Sequence, residues 1–400
     1  MGRPLGPARA SCCLWLALGL AVACSAGAPA GGTTAYQAVA PRETASAAYS
    51  APPGPASGAA PAGATPSYGV AGAALTTAPP VQLKVGVLPI APWAPIYIGQ
   101  ERGYFQEVGL ALELVTAASV NELLPSVAQG QIQVSACANN LGCFNALNRR
   151  TDLQIVADLQ SAGKTEKSIG SNAFVVRKDL WDNGVIRGPQ DLPGRTVHVI
   201  AGEASAPHLM AVRWLRQHGV DPHSVEWVPM GFPDVYAAMQ NRASEVAYQT
   251  EPLLSAGLAN GVHQLLVTQE EINPAIQVLY LLYWTGIERL GPQVGERFLV
   301  AYLRGARDYI NAFEYGIDQD AIIDILTQYT AIKDPAVYRR IKYTYIDPNG
   351  RVSRTALEED AELLRQLGLT ATPLDLSAAF EDKYRQFAVQ YLGEYQPPGR

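Results

Sequence analysis

Two asparagines, Asn139 and Asn140, stand side by side in CANNLGC (137–143), and a carboxylate, Glu251, sits in QTEP (249–252). Each carboxamide carries a donor and an acceptor, and a carboxylate carries acceptors only. Together they suit the edge of a ring or a row of hydroxyls. Aromatic side chains accompany them: Trp93 and Tyr97 in PIAPWAPIY (89–97), Phe232 in GFP (231–233), and Tyr248 just before QTEP. These supply flat stacking area. Ser205, in AGEASAP (201–207), adds a hydroxyl where a helix is expected to start and where backbone amides are free to donate. The set is suited to recognising a flat, polar-edged solute. Plainer roles stand beside it: Tyr97 as helix-face packing, Ser205 as a helix cap only, and nearby Trp227 as core.

Bond-making signatures are missing. The chain has no phosphate-binding G-x-x-x-x-G-K-[ST], no G-x-G-x-x-G, no G-x-S-x-G and no H-E-x-x-H. Its five histidines (198, 208, 218, 223 and 263) lack the paired spacing of a metal site. No catalytic residue, metal or cofactor is expected. Cys137 and Cys143 read either as a disulfide of an exported protein or as two buried small residues. If the aromatic first loop forms a cleft wall, Trp93→Ala is expected to weaken binding without unfolding the body.

The elements that must position these residues alternate. LKVGVL, LALELV, IQVSA and LQIVADL read as strands, separated by helices that Pro95, the pair Ser119 and Glu122, and Leu141 begin. DLPGRTVHVI, VEWVPM, EVAYQ and HQLLV repeat the rhythm, with helices at 206–218, 233–240 and from Pro252. IQVLYLLYW (276–284) is one long apolar strand, and 292–313, 318–330, 336–343, 353–367 and 377–392 read as helices. The pattern predicts an α/β protein of two lobes, each a mostly parallel sheet flanked by helices. Residues 81–171 plus 285–400 are expected in lobe 1 and 172–284 in lobe 2. Crossovers near 172–177 and 276–284 form a two-strand hinge. In such sheets ligands bind beyond the carboxyl ends of the strands, which is where the residues above fall.

The net charge of -6 over 400 residues, without a basic stripe, argues against a nucleic-acid partner. Residues 1–23 read as a signal peptide: Arg3 and Arg9, an apolar run from Cys12, and Ala21-Val22-Ala23 as a cleavage site. LAVAC (20–24) is similar to a bacterial lipobox, with Cys24 as the lipidated residue and Leu20 one place early. Without lipidation the product would be secreted or periplasmic. Residues 24–80, rich in Ala, Pro and Gly, read as a disordered tether. Its length corresponds to a root-mean-square span of about 40 Å.

Four runs carry a family resemblance: GQERGYFQEVGLALELV (99–115), LLPSVAQGQIQVS (123–135), DLPGRTVHVI (191–200) and AAMQ through EVAYQTEP (237–252). In this order they resemble the binding proteins of ABC importers for nitrate, sulfonates, taurine and thiamine-pyrimidine precursors. Gln133 stands where the family has an acidic residue, and Asn241-Arg242 where it has a glycine. The resemblance implies a periplasmic-binding-protein fold in which a monomer closes on a small solute. The solute then passes to a membrane permease and, through it, an ATPase. The aromatic first loop is most similar to the branch for vitamins and their precursors, including proteins proposed to bind riboflavin. Two alternatives stay open. One is a binder of a taurine, alkanesulfonate or nitrate anion. The other is an enzyme similar to the eukaryotic thiamine-pyrimidine synthases, whose cysteine-rich motif and first-lobe histidine are missing here. A sensory module would need a signalling domain, which 311–400 does not resemble.

Overall fold

A computed structural model describes residues 79–149, 152–370 and 373–399. The expected signal peptide, Cys24 and the tether up to residue 78 lie outside the described residues. The first part of the chain runs β1 (Val81–Val87), α1 (Ala94–Glu101), α2 (Tyr104–Glu107), β2 (Leu110–Thr116), α3 (Val120–Ala128), β3 (Val134–Ala138), α4 (Leu141–Asn148) and β4 (Leu153–Ser161). The second runs β5 (Asn172–Arg177), α5 (Lys178–Asp182), β6 (Thr196–Val199), α6 (Ala206–Gln217), β7 (Glu226–Pro229), α7 (Phe232–Gln240), β8 (Val246–Thr250), α8 (Leu253–Ala259), β9 (His263–Thr268) and α9 (Gln269–Ile272). The last runs β10 (Gln277–Trp284), α10 (Val294–Tyr315), α11 (Gln319–Tyr329), α12 (Pro335–Tyr338), α13 (Arg354–Gln366) and α14 (Lys383–Leu392).

The strands form two five-stranded sheets, ordered β2-β1-β3-β10-β4 and β7-β6-β8-β5-β9. In each sheet the fourth strand runs antiparallel to both neighbours, and it is the strand that arrives from the other lobe. Strands β3 and β8 are buried almost throughout, as sheets covered on both faces require. The edge strands β2 and β7 are half-exposed.

The hinge differs from the sequence expectation. Residues 172–177 and 277–284 are strands inside the sheets, and β10 belongs to the first sheet, not to the second lobe. Their apolar runs are long because each is buried between two partners. The crossings themselves are 162–171 and 269–276, and Glu270 staples them. Its carboxylate accepts the Gly163 and Gly170 amides at 2.9 and 3.0 Å. Ala162 donates to the Ile276 carbonyl at 2.9 Å. Gly163 cannot carry a side chain, because a Cβ there would collide with the Ser168 backbone.

The late helices cover the first sheet. Helix α10 lies so close to α1 that a Cβ on Gly305 would strike the Pro95 carbonyl, which seats the proline-rich corner against the core. The helix expected over 336–343 stops at Tyr338. Beyond it, Tyr343 donates its amide to the Lys167 carbonyl and Thr344 donates to the Tyr309 hydroxyl, so these donors are taken from a helical ladder. The expected 377–392 helix is broken before Lys383, where Phe380 pairs with Ile155 of β4.

Candidate functional site

A cleft of about 630 Å³, counting the solvent at its mouth, opens between the lobes. Its walls are the carboxyl ends of the parallel strands and the loops after them. Leu88, Ile90 and Trp93 follow β1; Ser119 to Asn121 follow β2; Ala138 and Asn140 end and follow β3. From the second lobe come Ile200, Ala201 and Ser205 after β6, Phe232 after β7, and Tyr248 on β8. Both antiparallel strands enter at this end, so Asn172 and Val278 reach the same space.

Five of the eight residues proposed from sequence line this cleft: Trp93, Asn140, Ser205, Phe232 and Tyr248. Trp93 is fully buried, and its indole N–H donates to the Gly86 carbonyl at 3.2 Å. It is therefore core as well as wall, which corrects the expectation that Trp93→Ala spares the fold. The Asn140 side-chain oxygen caps α4 by accepting the Cys143 amide at 2.9 Å, leaving its NH₂ as what it can offer a solute. Ser205 caps α6, accepting the His208 amide at 3.4 Å and donating to the Gly202 carbonyl at 2.6 Å, so its cap role and its wall role coincide. The Phe232 and Tyr248 rings stand 6.3 Å apart on one wall.

Three proposed residues do not line the cleft. Tyr97 is buried under α11: its ring stacks on Tyr329 at 4.6 Å, and its hydroxyl donates to the Leu88 carbonyl at 2.7 Å. Asn139 points behind the wall, where its Nδ2 donates to the Gln277 carbonyl and to Asp360, each at 2.7 Å. Glu251 joins the lobes, accepting the Ser255 amide and hydroxyl at 2.9 and 2.6 Å and the Lys342 amide at 3.1 Å. Burial pushes its carboxyl up to about 7 against those hydrogen bonds. Asn139 and Glu251 stand one residue past the ends of β3 and β8 and turn away from the cleft that Ala138, Asn140 and Thr250 line. Trp227 is half-buried and meets the His208 ring edge-on at 4.8 Å, away from the cleft.

Gln160 and Asn121 were missed in the sequence, and they carry the site's most specific signal. Gln160 is 2% exposed, and its Nε2 has no partner among the described residues. The same holds for the buried Oδ1 of Asn121 and the Tyr248 hydroxyl. Buried polar atoms are normally paired, so three such atoms on one cleft are open to partners from outside the described residues. A polar residue interrupting the apolar strand LQIVADLQS near its carboxyl end was the available clue to Gln160. None of the lining side chains carries a formal charge. Burial raises the Tyr248 hydroxyl far above its ordinary range, and the negative charge of Glu270 adds to the shift.

Cys137 and Cys143 are paired as a disulfide, both fully buried, with Cα atoms 6.0 Å apart. The bridge brackets Ala138 and Asn140 of the wall. It also holds Leu141, whose amide donates across the cleft to the Ala204 carbonyl at 3.1 Å. Replacing both cysteines by serine is expected to cost about 2 kcal/mol, from the loop the bridge closes. Non-reducing thermal denaturation checks this, and an unchanged midpoint would show the bridge to be idle.

Residues 91–312 match the family model described as NMT1/THI5 like. A putative ABC transporter periplasmic binding protein of Brachyspira hyodysenteriae is 27% identical over 190 residues, which is 45% of this chain and 52% of the relative. The chain thus spans about half the length of the curated relative it matches. The alkanesulfonate-binding protein SsuA of Xanthomonas axonopodis pv. citri, solved with MOPS, superimposes with a TM-score of 0.61 at 17% identity, over 76% of this chain and 100% of that one. The nitrate-binding protein NrtA of Synechocystis PCC 6803 does so with a TM-score of 0.62 at 14% identity, over 79% and 90%. The fold is therefore that of the periplasmic binding proteins.

Proposed function

The chain belongs to the NMT1/THI5-like family, and from that premise we propose that it is the extracytoplasmic solute-binding component of an ABC importer. It captures a small, uncharged heteroaromatic vitamin or precursor, of the riboflavin or thiamine-pyrimidine type, and hands it to a permease and, through it, the ATPase. The observation that carries the solute class is the cleft wall, aromatic and uncharged, with three buried polar atoms lacking partners. Flat apolar area with a few fixed donors and acceptors suits a ring with a polar edge. A bare sulfonate or nitrate would meet no cation among the lining side chains, and the negative charge of Glu270 already bears on the Tyr248 hydroxyl. The protein acts as a monomer and as a binder, not as an enzyme. No helix among the described residues is long and apolar enough to cross a membrane. Cys24 is proposed as the lipidated residue that anchors the protein to the cell membrane.

The test is a thermal-shift and tryptophan-fluorescence panel on the full chain with riboflavin, thiamine pyrimidine, taurine and nitrate. A solute at a hundred times its Kd adds about 2.7 kcal/mol of stability. Riboflavin or the pyrimidine is expected to raise the melting temperature and change the fluorescence. A response to taurine or nitrate alone would overturn the solute class, and turnover of any of the four would overturn the binder.

A further inference from the structure

Helix α13 lies outside residues 91–312, the stretch matched by the family model, and packs on both α4 of the first lobe and α6 of the second. At its centre is Asp360, 5% exposed. One of its oxygens accepts from Arg213 of α6 at 2.6 Å, and Glu359 adds a second carboxylate 3.7 Å from the same guanidinium. Its other oxygen accepts the Asn139 amide at 2.7 Å. Asn139 lies between Ala138 and Asn140, two residues of the cleft wall.

The far side of this connection is also fixed. Ala204 adopts a left-handed backbone (φ 62°), its amide donates to His208 of α6 at 3.2 Å, and its carbonyl accepts the Leu141 amide. Helix α6 therefore holds the Ala204 loop at its first turn and Asp360 further along. Asp360 in turn holds the strand end that carries Leu141. We infer that α13 is a strap holding the lobes together, and that Asp360 and Arg213 are positioning residues that bring the 138–141 loop against Ala204. Opening the cleft separates Arg213 from a buried carboxylate, and an unpaired buried charge is costly. The strap thus raises the closed population before any solute arrives, and an affinity for solute rises with that population. This holds whatever the solute is.

Leu141 supplies a ligand-free readout. It is the first residue of α4, so its amide has no partner within its own helix, and among the described residues the Ala204 carbonyl across the cleft protects it. Residue-resolved hydrogen exchange is measured on the ligand-free full chain for the wild type, Arg213→Met and Arg213→Lys. Methionine keeps an apolar stem and loses the charge. Leu141 is expected to exchange on the order of tenfold faster in Arg213→Met. The Val85 amide, on the inner strand β1 between β2 and β3, should keep its wild-type rate, and Arg213→Lys should restore an intermediate rate at Leu141. A wild-type rate at Leu141 in both variants would overturn the strap. So would equal acceleration at Leu141 and Val85, which would show general loosening instead. If Arg213→Met does not fold, the lysine variant decides by the same comparison of Leu141 with Val85.

Discussion

Trp93→Ala is expected to lower the stability of the folded body by about 3–5 kcal/mol, the range for truncating a buried aromatic, and to abolish solute binding in the same variant. Trp93 has no exposed surface, and its indole N–H is satisfied by the Gly86 carbonyl of β1. Alanine removes the packing of a whole indole beneath a proline corner that cannot collapse freely, because Pro95 is already pressed against Gly305 of α10. Trp93→Phe separates the two roles. It retains an aromatic wall and most of the volume, loses the hydrogen bond, and should keep the fold with a smaller penalty. Denaturant midpoints and binding isotherms on the two variants check this. A Trp93→Ala protein as stable as wild type would mean that the indole is not core.

Glu270→Ala is expected to cost about 1–3 kcal/mol, because an unmade hydrogen bond at a buried donor costs about that much and this carboxylate serves two amides, the buried one of Gly170 and the half-buried one of Gly163. Those amides, of Gly163 and Gly170, belong to one crossing while Glu270 belongs to the other, so the loss falls on the hinge. Gln269 donates to the same carboxylate at 2.9 Å and loses its partner too. Glu270→Gln keeps one acceptor oxygen and should recover part of the stability. Equilibrium denaturation of the three proteins is the measurement, and identical midpoints would mean that water replaces the carboxylate at no cost. The substitution also removes the negative charge felt by the Tyr248 hydroxyl, so any weak anion binding should strengthen in Glu270→Ala.

Much of this fold was legible in the chain because each signal was local. Pro95 starts α1, Ser205 caps α6, and the alternation of strands with helices places the loops at one end of each sheet. The cleft was legible by the same reasoning, since ligand loops follow strands. What the sequence could not supply was direction. Asn139 and Asn140 are chemically identical neighbours, yet one braces Asp360 and the other lines the cleft. Glu251 reads as an acceptor for a ligand but is spent on Ser255, one helical turn ahead, and on Lys342, which only the packed fold brings to it. Gln160 is silent in a strand that otherwise reads as core, and only burial without a partner reveals it. The hinge was misplaced because a long apolar run marks a strand buried on both sides, and it does not say to which sheet that strand belongs.

The central claim is that the cleft takes an uncharged ring and excludes anions, and calorimetric titration of the full chain at low and at high salt tests it most directly. Riboflavin or thiamine pyrimidine is expected to bind one to one with a Kd that salt leaves unchanged, because no ion pair forms in the cleft. Taurine is expected to release no heat of binding at either salt concentration. A taurine isotherm that weakens as salt rises, with none for either heterocycle, would contradict the claim.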